Sequence, residues 1–277
     1  MSPDLWFPFV LAIKMAVAAA FVVTASVVAE RSGALVGAMV VTLPVGAGPA
    51  YILLAFDHGA AFIADSTVAS LAVHAASGIY GMAYVLAAQR RSFAVTMAIT
   101  IATWMACALV IRSVTWSVTG AILLNVVAYG ICVPLAQRYQ NVRMPVITRR
   151  WFDIPLRAGL VAGLVGLVVA LGDSAGPVLA GIFAVFPIVM LSIMLILHPR
   201  IGGVATAAII ANAMWGLVGF ALAVLTLHLT AVPFGAPLAL LSALAVSVAV
   251  NCVIFFLRRT GHAARMAALN SAASPGA

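Results

Sequence analysis

Two basic residues, Lys14 and Arg157, lie within long apolar stretches of the chain. A cation inside the hydrocarbon of a membrane costs on the order of 2.5–3.5 kcal/mol on insertion scales, so a residue of this kind usually has a function. Two such charges that approach a common interior would suit an anionic substrate, a carboxylate or a phosphate. Alternatively, both long side chains could extend to the membrane interface and keep their charge hydrated.

A carboxylate and a histidine, Asp65 and His74, are nine residues apart in the same part of the chain. They could form a proton relay for a proton-coupled carrier, because imidazole changes its charge near neutral pH. Histidine and asparagine more commonly form hydrogen bonds between packed membrane helices, and three asparagines also lie within apolar runs. These are Asn125, Asn212 and Asn251.

Two apolar segments of membrane length, residues 33–59 and 176–202, each contain a proline near the middle, Pro44 and Pro187. Proline removes a backbone donor and clashes with the preceding turn, so it kinks or breaks a helix. Residues 44–50 hold two prolines and two glycines, which predicts unwound backbone there. At membrane depth unwound backbone needs protein or a watery cavity around it, and a simple packing kink is the alternative. The candidate substrate-binding residues are Pro44, Gly46, Gly48, Pro49, Pro187, Lys14 and Arg157, and the candidate proton-coupling residues are Asp65 and His74.

The composition is that of an integral membrane protein. Of the 277 residues, 65% are hydrophobic and only 7% are charged, against roughly 25% charged residues in a soluble domain. The apolar runs are about 20 residues long and do not alternate, so they predict spanning helices and not barrel strands. The net charge of +8 comes largely from arginines at the ends of these runs, which indicates orientation in a membrane and not nucleic-acid binding. The three cysteines lie inside apolar segments and are interpreted as small buried hydrophobic residues.

Apolar runs bounded by charges, glycines or prolines predict nine spans. The basic linker after the fifth span should face the cytoplasm, because arginine and lysine are enriched on that side. This orientation places the N-terminus outside and the C-terminus inside a bacterial-type inner membrane. The linker arginines are Arg138, Arg143, Arg149 and Arg150. The predicted spans are residues 6–29, 33–56, 66–88, 93–111, 115–136, 154–172, 177–198, 203–228 and 235–257.

The separation between Lys14 and Arg157 in the chain, called here the repeat interval, recurs between other residues and predicts an internal duplication. Beyond the second glycine pair the alignment slips by five residues, so that His74 corresponds to Asn212. One odd span between two four-helix units forces the second unit to run opposite to the first, an architecture that recurs in secondary transporters. The corresponding pairs are Gly33 with Gly176, Gly59 with Gly202, Glu30 with Asp173, and Lys14 with Arg157. The units are residues 1–112 (first repeat), 113–150 (connector span and basic linker), 151–259 (second, inverted repeat) and 260–277 (mobile cytoplasmic tail).

The string GALVGAMVVTLP at residues 33–44 is followed by an apolar run and by DHG at residues 57–59, and a weaker copy ends at Gly202. This pattern resembles the small GlpM-type membrane proteins. The resemblance implies that such a protein corresponds to one four-helix unit and that this chain is two units fused through an extra span. It brings no catalytic or binding residue with it. In the second copy Arg200 stands where the first has Asp57.

The sequence contains no HExxH, GxSxG or P-loop motif, and we therefore expect a protein that is not an enzyme and holds no metal or cofactor. The expected function is secondary transport of a small anionic solute at a site where spans two and seven cross. The expected partners are this solute and the lipid bilayer, without nucleic acid, and a homo-oligomer is compatible with the sequence. Two alternatives stay open, a structural or assembly subunit that transports nothing and a lipid flippase with a lateral opening.

Overall fold

The computed structural model describes the backbone of residues 3–31, 47–145 and 150–273, and the side chains of residues 8–27, 47–145 and 150–257. All regular structure in these ranges is helical, which confirms the all-α class. Six helices are long and apolar enough to cross a membrane, and α2 and α7 are shorter apolar helices. The helices are α1 (Pro3–Arg31), α2 (Ala47–Asp57), α3 (Ala60–Ala87), α4 (Phe93–Arg112), α5 (Val118–Gln137), α6 (Asp153–Ala184), α7 (Ile188–Ile201) and α8 (Gly203–Ala273).

Helix α8 contains a reversal of the chain at Gly235. This glycine has a φ of 78°, a left-handed value that favours residues without a side chain. The hydroxyls of Thr230 and Ser242 lie 3.2 Å apart on either side of it, and Gly219 lies close to Asn251. The two parts of α8 therefore run antiparallel, and the reversal falls where the sequence predicted the boundary between the last two spans.

Helix α6 is interrupted in the same way at Gly176, where φ is 81°. Beyond this glycine the chain returns along α6, because Arg200 near the end of α7 makes an ion pair with Asp153 at the start of α6. The returning segment is itself broken: α6 ends at Ala184 and α7 begins at Ile188. The predicted break at Pro187 is thus present, between two helices that together occupy residues 177–201.

The corresponding break around Pro44 lies outside the described residues, as do Pro44 and Gly46 themselves. The rest of that segment is helical from Ala47 onward, so the expectation of unwound backbone is wrong for residues 47–50. Gly48 and Pro49 lie in the first turn of α2. Proline is tolerated there, because the amide that it lacks would have no partner within the helix.

The other predicted spans agree with helices to within a few residues, except that α3 begins at Ala60 and not at residue 66, and that the first part of α8 continues beyond residue 228 to the reversal at Gly235. At the C-terminal end, α8 continues to Ala273, into the tail that the sequence predicted to be mobile. Within the described residues, six helices qualify as spanning by length and composition, and the count of nine stays a prediction.

Helix α3 is the centre of the molecule. It packs against α4, α5, α6 and, most extensively, α8, while α1 packs mainly against α6. One contact brings two backbones together: a Cβ atom built on Gly181 of α6 would lie 2.1 Å from the carbonyl oxygen of Ser66 on α3. Only glycine fits at this crossing.

We predict that Gly181→Ala lowers the free energy of unfolding by about 1–3 kcal/mol, because the added methyl forces α6 away from α3. Thermal denaturation in detergent measures this as a lower melting temperature. Gly163→Ala in the same helix is the matched control, since nothing lies within 4 Å of its Cβ position. The control should be neutral or stabilising by about 0.5–1 kcal/mol. Equal melting temperatures for the two variants would contradict the close crossing.

Candidate functional site

The break between α6 and α7 changes the hydrogen bonds of the surrounding backbone. Pro187 has no amide hydrogen, and the Ile188 amide donates to the Phe186 carbonyl at 2.7 Å and not to the carbonyl of Ala184, its usual helical acceptor. The Val185 amide donates to the carbonyl of Phe183. In an intact helix these amides would donate hydrogen bonds to the carbonyls four residues earlier. The break therefore frees carbonyl oxygens inside the helical bundle.

One freed carbonyl is satisfied by a side chain of a neighbouring helix. Ser70 of α3 donates its hydroxyl to the carbonyl of Gly181 at 2.6 Å. The hydroxyl of Tyr51 on α2 also hydrogen-bonds to Ser70, and since the Ser70 proton is already donated, Tyr51 is the donor. Tyr51 and Ser70 are both buried. This chain of hydrogen bonds connects α2, α3 and α6, which brings the second and seventh predicted spans together through α3.

Aromatic side chains surround the residues of the break. The ring of Phe186 lies 4.7 Å from that of Trp104 on α4 and 6.3 Å from that of Tyr80 on α3, in edge-to-face arrangements. Trp104 is completely buried. Its indole Nε1–H has no hydrogen-bond partner among the described residues. A buried donor without a partner is costly, so a buried N–H of this kind beside a broken helix is available to a ligand or a water.

A second polar cluster lies further along α3. His74 Nε2 is 2.9 Å from the carbonyl of Leu217 on α8, and the hydroxyl of Tyr129 on α5 donates to the carbonyl of His74 at 2.8 Å. The bond to Leu217 makes Nε2 the protonated nitrogen and Nδ1 an acceptor. Nδ1 and the hydroxyl of Ser77, one turn away, are buried without partners among the described residues. His74 thus joins three helices and keeps one nitrogen free.

Two of the three asparagines, Asn125 and Asn212, have the structural role that the sequence favoured, whereas Asn251 donates to the carbonyl of Ser247 in its own helix. Asn125 of α5 donates its amide to the carbonyl of Leu71 on α3 at 2.6 Å. Asn212 of α8 contacts the carbonyl of Gln140 at 3.5 Å. These hydrogen bonds hold neighbouring segments together. The cysteines are free thiols, with Cys132 buried and the other two half-buried.

Asp65 and His74 do not lie together. Nine residues correspond to two and a half helical turns, so the two side chains are on opposite sides of α3 and about 13 Å apart along its axis. Asp65 is exposed, whereas His74 is buried at 1% exposure. Asp65 and His74 therefore cannot pass a proton directly from one side chain to the other within α3.

Of the two basic residues, Lys14 lies within α1 and Arg157 lies near the start of α6. Lys14 makes an ion pair with Asp57 at the end of α2, and the two side chains are 15% and 25% exposed. Arg157 is half-buried on α6, one turn after Asp153, which itself pairs with Arg200 through both carboxylate oxygens. The sequence left two roles open for both cations, contact with a central substrate or extension to the membrane interface, because it does not show which groups lie near a side chain.

Sequence reasoning also missed the groups that contact the break. Tyr51, Ser70 and Trp104 are common residue types in apolar helices, and no motif distinguishes them. A usable signal was the spacing of Ser66, Ser70, His74 and Ser77, which fall on one face of a helix. That stripe of polar residues is buried in the structure.

The helices and their buried polar groups are those of an all-helical bundle consistent with a membrane protein. No family model, no curated protein and no solved structure matches the chain.

We predict that Ser70→Ala lowers the free energy of unfolding by about 1–3 kcal/mol, because it leaves the Gly181 carbonyl and the Tyr51 hydroxyl buried without their partner. Melting temperatures in detergent provide the measurement, and Tyr51→Phe with the double variant gives the coupling between the two residues. Ser192→Ala is the control: that buried hydroxyl bonds to Val189 within its own helix. A loss at Ser192 as large as that at Ser70 would refute the bridging role.

Proposed function

We propose that this protein is a secondary membrane carrier of a small solute with an anionic group. The observation that carries the proposal is the break at residues 185–187, in the middle of a returning apolar segment and surrounded by buried side chains. Broken helices near the middle of the membrane form the binding sites of many carriers, because their free backbone groups can bind a polar solute.

The preference for an anionic group rests on the donors at the break. Helix α7 begins there, and the first amides of a helix, together with its dipole, favour negative charge. The unpartnered indole N–H of Trp104 lies beside Phe186 and adds a neutral donor. The solute that fits this chemistry is a small carboxylate or phosphate. In this proposal neither Lys14, which pairs with Asp57, nor Arg157 binds the solute.

The two-repeat architecture belongs to the same proposal and is supported by the helix ends. The first residues of α3 and α8 are separated by the repeat interval, and so are the first residue of α4 and Ala236, where the second part of α8 starts. With this constant interval, the alignment of the two units no longer needs the shift of five residues beyond the second glycine pair. It pairs His74 with Leu217, the residue whose carbonyl it contacts. Equivalent helices also pack on each other, α1 on α6 and α3 on α8, as an approximate two-fold axis requires.

Ion pairs at the helix ends also support the repeat. Lys14 of α1 pairs with Asp57 of α2, and Asp153 of α6 pairs with Arg200 of α7. The same two helices of each unit are joined, but the cation and the carboxylate have exchanged sides. Under the repeat interval Arg200 corresponds to Asp57. In the proposed carrier the two pairs lie near opposite membrane faces, within nine spans with the N-terminus outside.

The resemblance to GlpM-type proteins is part of the proposal as well, as a duplication of one four-helix unit. The alternatives of a structural subunit or a flippase differ from a carrier in one measurable respect. A carrier must expose the break to water from each side of the membrane in turn, whereas a subunit that only packs keeps it sealed.

We predict that a cysteine at position 184 is modified by a membrane-impermeant thiol reagent from both faces of sealed vesicles. Ala184 borders the break and is completely buried, so modification requires movement of the two units. The three native cysteines are first replaced by alanine, and Ala121→Cys, equally buried between helices, is the control. Modification from neither face would reject the carrier and favour a structural subunit.

We further predict that Trp104→Phe reduces uptake of an anionic solute into proteoliposomes by about tenfold, the equivalent of one hydrogen bond to a charged group. Inorganic phosphate and acetate are the probes. Trp116→Phe is the matched control, since the Trp116 indole already donates to the Ile111 carbonyl at 2.8 Å. Equal uptake by the two variants would remove Trp104 from the site.

A further inference from the structure

We infer that His58 and Asp173 form a proton-binding site that fastens the first unit to the second at one end of the bundle. His58 follows directly after the end of α2, and Asp173 lies on α6, near the break at Gly176. The distance from His58 Nε2 to the nearer carboxylate oxygen of Asp173 is 3.4 Å, and this contact becomes an ion pair when the imidazole is protonated. Neither residue is part of the solute site.

The position of His58 is fixed by its neighbours. Its ring stacks on Phe62 of α3 with a centroid distance of 3.9 Å and an interplanar angle of 10°. Gly172 leaves the space for it, because a Cβ atom there would lie 3.2 Å from His58 Nε2. The His58 side chain is 20% exposed and the Asp173 side chain 39%. Nε2 itself is buried and has no aligned hydrogen-bond partner among the described residues.

The charges around His58 favour the binding of one proton. From α1, Lys14 approaches and pairs with Asp57, the residue next to His58. From α6, Asp173 faces the imidazole. With a neutral imidazole the cluster of Lys14, Asp57, His58 and Asp173 therefore carries one excess negative charge. Protonation of His58 makes the cluster neutral, and the Asp173 carboxylate attracts the charged imidazole at this range.

Two other titratable groups on the neighbouring helices make no described contact with His58 or Asp173. On α3, Asp65 is exposed and makes no ion pair with a described residue. On α8, His228 lies against α3, with Nδ1 2.9 Å from the carbonyl of Ala64 and 3.2 Å from the hydroxyl of Thr67. Among the residues whose side chains the structure describes, the charged groups of the proton site therefore come from α1, α6 and the end of α2.

The opposite end of α6 has a pair of a different kind. Arg200 and Asp153 hold α7 to α6 there, and a guanidinium stays charged at every physiological pH. Of these two contacts, only the one between His58 and Asp173 can be switched by a change in pH near neutrality. The proton therefore stabilises closure of α2 against α6 at one face, and loss of the proton permits that face to open.

This inference deepens the proposed carrier function and takes its physiological meaning from it, but its test needs no transport. Nitroxide labels on cysteines at position 56 near the end of α2 and at position 175 on α6, both exposed, report the distance between these two helices by dipolar broadening. The background lacks the three native cysteines. We expect the labels to approach each other as the pH falls from about 8 to about 5, the range in which imidazole gains its charge.

His58→Gln and Asp173→Asn should each abolish this pH-dependent approach. His228→Gln, the same substitution at the histidine bonded to α3, and Asp153→Asn, at the opposite end, should leave it unchanged. Persistence of the approach in His58→Gln, or its absence from the wild type, would overturn the inference. If position 184 is sealed while the approach still depends on His58, the carrier fails and the proton site stands. If position 184 is modified from both faces but the approach of the labels does not depend on His58, the proton site is rejected and the carrier stands.

Discussion

The carbonyl oxygen of Gly181 is the atom on which the arrangement of the inner helices depends. A backbone group freed by a helix break must find a partner inside the protein if lipid surrounds the bundle. Here the partner is the Ser70 hydroxyl, and it reaches the carbonyl because Gly181 lets α6 approach α3 to backbone contact. Tyr51 then joins α2 to the same point. Glycine, serine and tyrosine together make a broken helix compatible with an apolar environment.

Charged side chains with little exposure to water follow a related rule. Lys14, Asp153 and Arg200 are 11–15% exposed, and each has an oppositely charged partner. Removing one member of such a pair would leave a charge with little water around it, which costs more than losing the pair as a whole. In the proposed two-repeat architecture, the exchange of cation and carboxylate between the units follows from this rule, because the pair is needed and not a particular sign at either position.

Much of the helical framework could be predicted from the sequence, since apolar runs ended by glycine, proline or charge leave little choice of boundary in a membrane. The reversals at Gly176 and Gly235 fall within a residue or two of predicted boundaries. The ion pair of Lys14 with Asp57 could not be predicted, because a long side chain reaches whichever partner the packing brings near it. The sequence contains no pattern that distinguishes Tyr51 and Trp104 from other aromatic residues, since their importance arises only from the break beside them.

The pairing of the cations also bears on how a carrier of anionic solutes would work. A site with a fixed, unpaired cation has to bury that charge whenever the solute is absent, and the desolvation cost opposes return of the empty protein across its cycle. Neutral donors such as helix amides and the Trp104 indole avoid this cost, because they carry no net charge when the site is empty. They bind an anion more weakly than a cation would, and weak binding permits release. The placement of Lys14 beside Asp57 is therefore compatible with anion transport, because it removes a charge that would hold the empty carrier in one state.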